Sequence, residues 1–170
     1  MKQNTKGFTL IELVVVIVIL GILAAVAAPK FLNLQHDARA SSIQGMAASV
    51  HNAAEIAYGK AAVEGEENSP SYHVVGAGNV HFGYPAVENN GLEDFLDADL
   101  GYKDGTKDWV WDAYNTGGSL ADPDYKVITQ SEWVQKYDRE AIKASNCYVK
   151  YTAAMEPGDE YKVEVFTDGC

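Results

Sequence analysis

Residues Phe8–Ala28 read FTLIELVVVIVILGILAAVAA and carry a single charge, Glu12. From Leu13 to Ala28 the run is unbroken and apolar. At about 1.5 Å per residue a helix of this length spans roughly 31 Å, the thickness of a bilayer's hydrocarbon core. The preceding residues, MKQNTKG, hold Lys2, Lys6 and the positive amino terminus with no acid. The positive-inside tendency therefore keeps them cytoplasmic and sends Lys30 onward across the membrane. Glu12 resists this simple picture. A carboxylate near the centre of a membrane helix costs about 2.5–3.5 kcal/mol, so it normally has a partner or sits near an interface.

The rest of the chain has a different character. Across 170 residues there are 13 Lys+Arg against 24 Asp+Glu, a formal charge of −11. Every acid except Glu12 lies beyond the apolar run. An acidic exported body argues against nucleic acid or anionic lipid as a charge-driven partner, since both need Lys/Arg-rich surface. A hydrophobic content of 47% excludes a disordered chain, and two cysteines are too few for a Cys-rich zinc site. The mean hydropathy of −0.17 averages two parts that live in different solvents.

Enzyme and cofactor signals are absent from the sequence. It holds no G-x-S-x-G, no P-loop and no H-E-x-x-H, and Gly76-Ala-Gly78 lacks the third glycine of a dinucleotide site. His36, His51, His73 and His81 have no metal-ligand spacing. Asp97, Asp99, Asp104 and Asp108 suggest calcium, but Tyr102 stands where an EF-hand loop needs glycine, so they read as solvated acids. We expect no catalytic residue, no metal and no cofactor.

Three readings of the N-terminus compete. An ordinary signal peptide would be cut after Ala27, at Ala25-Val26-Ala27. A permanent single-span anchor needs no cut. The third reading starts from Glu12: cleavage between Gly7 and Phe8 frees an amine. That amine in one subunit could pair with Glu12 of its neighbour, each offsetting the other's desolvation.

The string Lys6-Gly7-Phe8-Thr9-Leu10-Ile11-Glu12-Leu13, with the apolar run to Pro29, resembles the N-terminus of type IV prepilins and pseudopilins. The resemblance implies that a prepilin peptidase cuts after Gly7 and N-methylates Phe8. It implies a subunit held in the inner membrane, C-terminus periplasmic, until inner-membrane assembly machinery adds it to copies of itself in a helical filament. Glu12 then sets register, and Gly21 with Pro29 brackets the part of the helix most able to loosen on assembly. A narrower resemblance, over Ala27–Gly65, is to the mannose-sensitive haemagglutinin pilins, subunits of a surface-attachment pilus; Gly83-Tyr84-Pro85 and the late cysteines are compatible with it. The alternatives are a pseudopilin of a type II secretion system, some of which bind calcium, and a soluble exported carbohydrate-binding protein with an ordinary signal peptide.

The expected fold class is α+β, a pilin fold: a long N-terminal helix packed at its C-terminal half on a small antiparallel β-sheet head. The divisions are 1–7 leader, 8–29 membrane and filament-core helix, 30–61 amphipathic helix and 62–170 head. Pro29 kinks a helix without ending it. Ile43, Met46, Ala47, Val50, Ala54, Ala57 and Ala61 recur at three- and four-residue intervals and form the packing stripe. One helix from Phe8 to about Ala61 would be roughly 80 Å long. In the head, Tyr72–Val75 and Val80–Phe82 read as short strands, and Asn90 as the cap of a short helix from Gly91 to about Ala98. Glu156-Pro-Gly-Asp159 is a turn between strands after Asn146 and from Tyr161. In an oxidising compartment Cys147 and Cys170 are expected to pair, the alternative being two free thiols. Trp109, Trp111, Tyr114 and Trp133 read either as core or as a sugar-stacking surface, which makes surface glycans a candidate partner.

Overall fold

A computed structural model describes residues 7–88, 90–115 and 124–170. Lys2 and Lys6 lie outside these residues. The chain order is α1 (Leu10–Glu64), β1 (Tyr72–His73), β2 (Asn79–His81), β3 (Tyr84–Pro85), α2 (Leu92–Phe95), β4 (Leu100–Tyr102), β5 (Trp109–Tyr114), β6 (Tyr125–Gln130), a 3-10 turn (Ser131–Trp133), α3 (Arg139–Ala144), β7 (Tyr148–Thr152) and β8 (Lys162–Phe166). The chain divides into two compact units, one up to Ala38 and one from Arg39, with α1 contributing to both.

In the second unit all seven residues of the expected stripe are buried, together with Ala53. Helix α1 ends at Glu64, three residues beyond the expected Ala61. The Gly65 N–H bonds Ala62 O and the Glu66 N–H bonds Ala61 O, with Gly65 in the left-handed region at φ 77°. That is a Schellman cap, in which glycine supplies the conformation a side chain would resist.

The larger sheet has the order β4-β5-β6-β7-β8. Its pairs are antiparallel except β4–β5, which is parallel, so the head is not purely antiparallel as expected. A parallel neighbour normally needs a long crossover. Here a six-residue link suffices for a three-residue pairing. Lys103 turns it at φ 50°, and the Thr106 N–H and hydroxyl both donate to Asp104 Oδ1.

Successive residues of a strand face opposite sides. Trp111, Ile128, Val149 and Tyr151 therefore pack with Ile43, Met46 and Val50 of α1. Val110, Val127 and Tyr148 turn the other way and join Val134 and Ile142 of the α3 side. Because both faces are covered, β5 and β6 lack the clean alternation that would have marked them in the sequence. A second sheet, β1-β2-β3, adds Val80, and Val74 just past β1, to a cluster with Ala57 and Ala61.

The local expectations fare unevenly. Both strands form, the first shortened to Tyr72–His73 and the second shifted one residue earlier, to Asn79–His81. Strands β7 and β8 pair from Tyr148↔Phe166 to Thr152↔Lys162 around the expected turn, where the Asp159 N–H bonds Glu156 O at 3.1 Å. Asn90 does not cap α2. It lies at φ 61° and its own N–H donates to Glu93 Oε1, while Gly91 takes the capping position. Helix α2 also stops at Phe95 rather than Ala98, because Leu96 is already extended. Helix α3 is capped by Asp138, whose Oδ1 accepts from the Ala141 N–H at 2.9 Å.

Candidate functional site

At the N-terminus Thr9 and Glu12 satisfy each other. The Thr9 N–H donates to Glu12 Oε2 at 2.8 Å, the Thr9 hydroxyl donates to the same oxygen at 2.7 Å, and the Glu12 N–H donates to Thr9 Oγ1 at 3.3 Å. This is a capping box. The helix therefore begins at Leu10, not Phe8, and Glu12 sits in its first turn rather than in mid-span. The spacing Thr-x-x-Glu was the available signal, and it accounts for a carboxylate there without any neighbouring subunit. The box leaves Phe8 outside it, 89% exposed.

Beyond the box the helix is apolar on every side. Its most hydrophobic window is long and apolar enough to cross a membrane, and none of it is buried by the rest of the chain. Gly21 has open space around it, and Pro29 lies inside the helix without ending it.

At the other end of the chain, Cys147 and Cys170 form a disulfide. The tail returning to Cys147 runs tightly against the turn after α3. The Gly169 N–H bonds Asn146 O at 3.0 Å, and a Cβ on Gly169 would fall 1.9 Å from Ser145 O. Only glycine fits there.

The aromatic quartet does not make a sugar platform. Trp111 is buried in the core with Lys126 Nζ 3.6 Å from its ring centroid. Trp109 and Trp133 pack against the same core, Arg39 covers the Trp133 ring, and Arg139 covers Tyr114. The rings that would stack on sugar already stack on cations and core. Nor do the aspartates converge. Lys107 Nζ reaches Asp99 Oδ1 at 2.8 Å and holds that carboxyl below its ordinary range, while hydrogen bonds from Thr106 do the same for Asp104. Among the described residues no three His, Cys, Asp or Glu side chains are grouped to hold a metal.

Two constellations had no sequence signal. Lys126 is fully buried, pairs with Glu93 and faces Trp111; burial pushes its ammonium pKa down, opposed by the Glu93 charge. Its strand offers no hint of this, since a lysine at a strand position normally reads as solvated. The second joins helix residues His51 and Glu55 to Tyr161. Of the other histidines, His36 faces Asp37, His73 faces Asn79 and His81 faces Glu88.

These features define a chain with an exposed apolar N-terminal helix, headed by a Gly-Phe junction and Glu12, and a disulfide-closed α+β head. The prokaryotic N-terminal methylation motif matches residues 2–28. The chain is 52% identical over 55 residues to the type IV narrow pilus major component PilA5 of Thermus thermophilus, covering 32% of this chain and 47% of that protein. It is 41% identical over 73 residues to the type IV major alpha-pilin of Moraxella bovis, covering 42% and 46%. It is 38% identical over 93 residues to a type IV major fimbrial protein FimA of Dichelobacter nodosus, covering 53% and 56%. The matches thus span about half the length of these curated relatives, which are structural pilins and not enzymes. No solved structure matches the chain.

Proposed function

We propose that the chain is the structural subunit of a type IV pilus, of the mannose-sensitive haemagglutinin kind, and serves surface attachment. The observation that carries this reading is the junction at Gly7-Phe8, followed by Glu12 and a helix whose apolar side chains have no cover within the chain. Prepilin peptidase cuts after Gly7 and methylates the Phe8 amine. The helix holds the subunit in the inner membrane until assembly machinery transfers it to the filament, where lipid is exchanged for the helices of other copies. The Phe8 amine of one subunit then meets Glu12 of its neighbour. Thr9 supplies hydrogen bonds but no countercharge, and a carboxylate without one is penalised in that apolar core, so subunits in register are favoured. Gly21 and Pro29 bracket the part of the helix that loosens during the transfer: glycine lowers helix propensity by about 1 kcal/mol and proline removes a backbone bond.

Intact mass and N-terminal sequencing of protein purified from its native membrane test the reading. N-methyl-phenylalanine at position 8 is expected. Ala28 as the first residue overturns it in favour of an ordinary signal peptide, and a retained Met1 overturns it in favour of a plain anchor.

A further inference from the structure

Lys126 stands on β6, the middle strand of the larger sheet, and its side chain is fully buried. Its ammonium reaches α2. Nζ is in hydrogen-bond contact with Glu93 Oε2, donates to the Glu88 carbonyl oxygen at 3.5 Å and lies 3.6 Å from the centroid of the Trp111 ring. The Glu93 side chain is only 17% exposed. Its other oxygen, Oε1, accepts the Asn90 N–H at 2.8 Å, from a residue held in the left-handed region at φ 61°.

A buried ion pair loses hydration on both partners, which their attraction has to offset. Passing one proton from Nζ to Glu93 removes both charges at once. Burial already works in that direction by pushing the Lys126 pKa down, against the Glu93 charge. What results is a neutral amine touching a carboxylic acid, a nucleophile held beside an acyl group. In bulk water these two groups do not condense, because they meet rarely and water reverses the reaction. A fixed contact in a dry site removes both obstacles. The Asn90 N–H supplies a third element. It is bonded to Oε1, the oxygen on which negative charge develops when an amine adds to the carboxyl carbon, and so stands where an oxyanion donor is needed.

We propose that Lys126 and Glu93 are joined by an intramolecular amide bond that the folded chain forms by itself. The Lys126 ammonium first gives a proton to Glu93 Oε2. The free Nζ electron pair then attacks Glu93 Cδ, and the carbonyl pair moves onto Oε1, against the Asn90 N–H. A second Nζ proton passes to Oε2, the Cδ–Oε2 bond breaks, and Oε2 leaves as water. The carbonyl reforms and one hydrogen stays on the amide nitrogen. No oxidant, reductant or second substrate is consumed. The bond joins positions 33 residues apart and fastens α2 to the middle of the sheet, as the disulfide fastens the tail to β7. It is independent of the filament reading.

Peptide mapping of the full chain tests the bond. The protein is purified in detergent, its cysteines are reduced and alkylated, and it is digested with trypsin, which does not cut after an acylated lysine. The digest should contain residues 61–103 joined to residues 108–136, one water lighter than the two peptides apart, with the branch at Glu93 and Lys126. Lys126→Arg keeps the charge but offers no amine, and Glu93→Ala removes the acyl group. Each should abolish the joined peptide completely. The parent digest is decisive by itself should either variant fail to fold. Cleavage after Lys126 in the parent, with residues 61–103 and 108–126 recovered at their separate full masses, overturns the bond and leaves an ion pair. A joined peptide that survives Glu93→Ala overturns the assignment to Glu93.

Discussion

Helix α1 contains two stretches with opposite fates. From Leu10 to Leu34 the described apolar side chains are exposed, including Ile19 and Leu20; from Ile43 to Ala61 the apolar stripe is buried almost completely. The first stretch is more hydrophobic yet contributes nothing to the core of the head. The second is rich in alanine, and its buried positions share hydrophobic clusters with residues of both sheets. Hydrophobicity alone therefore does not say what a helix packs against. Apolar residues on all faces require a solvent such as lipid or other helices, whereas a stripe requires one companion surface.

The sharpest test of the exposed stretch is Glu12→Ala. It should lower filament yield at least tenfold while leaving subunit level and membrane insertion unchanged, measured by sheared-pilus recovery against whole-cell immunoblot. Normal filaments would show that the capping box is the whole role of Glu12. The contrast between the stretches is read directly from two truncations. Ile43→Ala should destabilise the head by about 2–5 kcal/mol in denaturant titration, the usual cost of emptying a buried isoleucine site. Ile19→Ala should move the same transition by less than about 0.5 kcal/mol; equal effects would break the comparison.

A change comparable to that of Ile43→Ala is expected from opening the disulfide. Cys147 and Cys170 are 23 residues apart in sequence, and a loop of that order is worth about 3 kcal/mol. Replacing both by serine should lower the unfolding midpoint of the head without altering export or processing. The smallest effect concerns Asp99, whose pKa Lys107 holds below its ordinary value of 3.8. A carboxylate lowered by folding adds stability above its unfolded pKa and loses it as pH falls through the folded one. The small advantage of the parent over Asp99→Asn should therefore be present at neutral pH and fade below about pH 4; an advantage that grows on acidification would contradict the pairing.

Much of the first unit and part of the second was legible in the sequence. The apolar run, the stripe from Ile43 and the β7–β8 turn rest on neighbours in sequence or on a fixed period, and these survive intact. Thr9-x-x-Glu12 and Gly65 were equally local signals, and they place the helix ends at Leu10 and Glu64 instead of Phe8 and Ala61. Elsewhere local signals misled. Asn90 has the chemistry of a helix cap, but its left-handed backbone, with Gly91 pressed near Ala86 O, gives the position to its neighbour. The tryptophans suited a sugar platform by composition, and only their packing shows that cations and core occupy the rings.

The sequence by itself determined the length and polarity of the N-terminal helix, the face that α1 turns inward, and the acidic character of the head. These properties come from spacing along one helix and from summed charge, which do not depend on distant residues. Only the tertiary structure decided that β4 joins its sheet in parallel, that Lys126 is buried against Glu93 and Trp111, and that Tyr161 closes over His51 and Glu55. Each brings together residues that no local pattern connects, and a side chain's charge state and role depend on the neighbours that folding supplies.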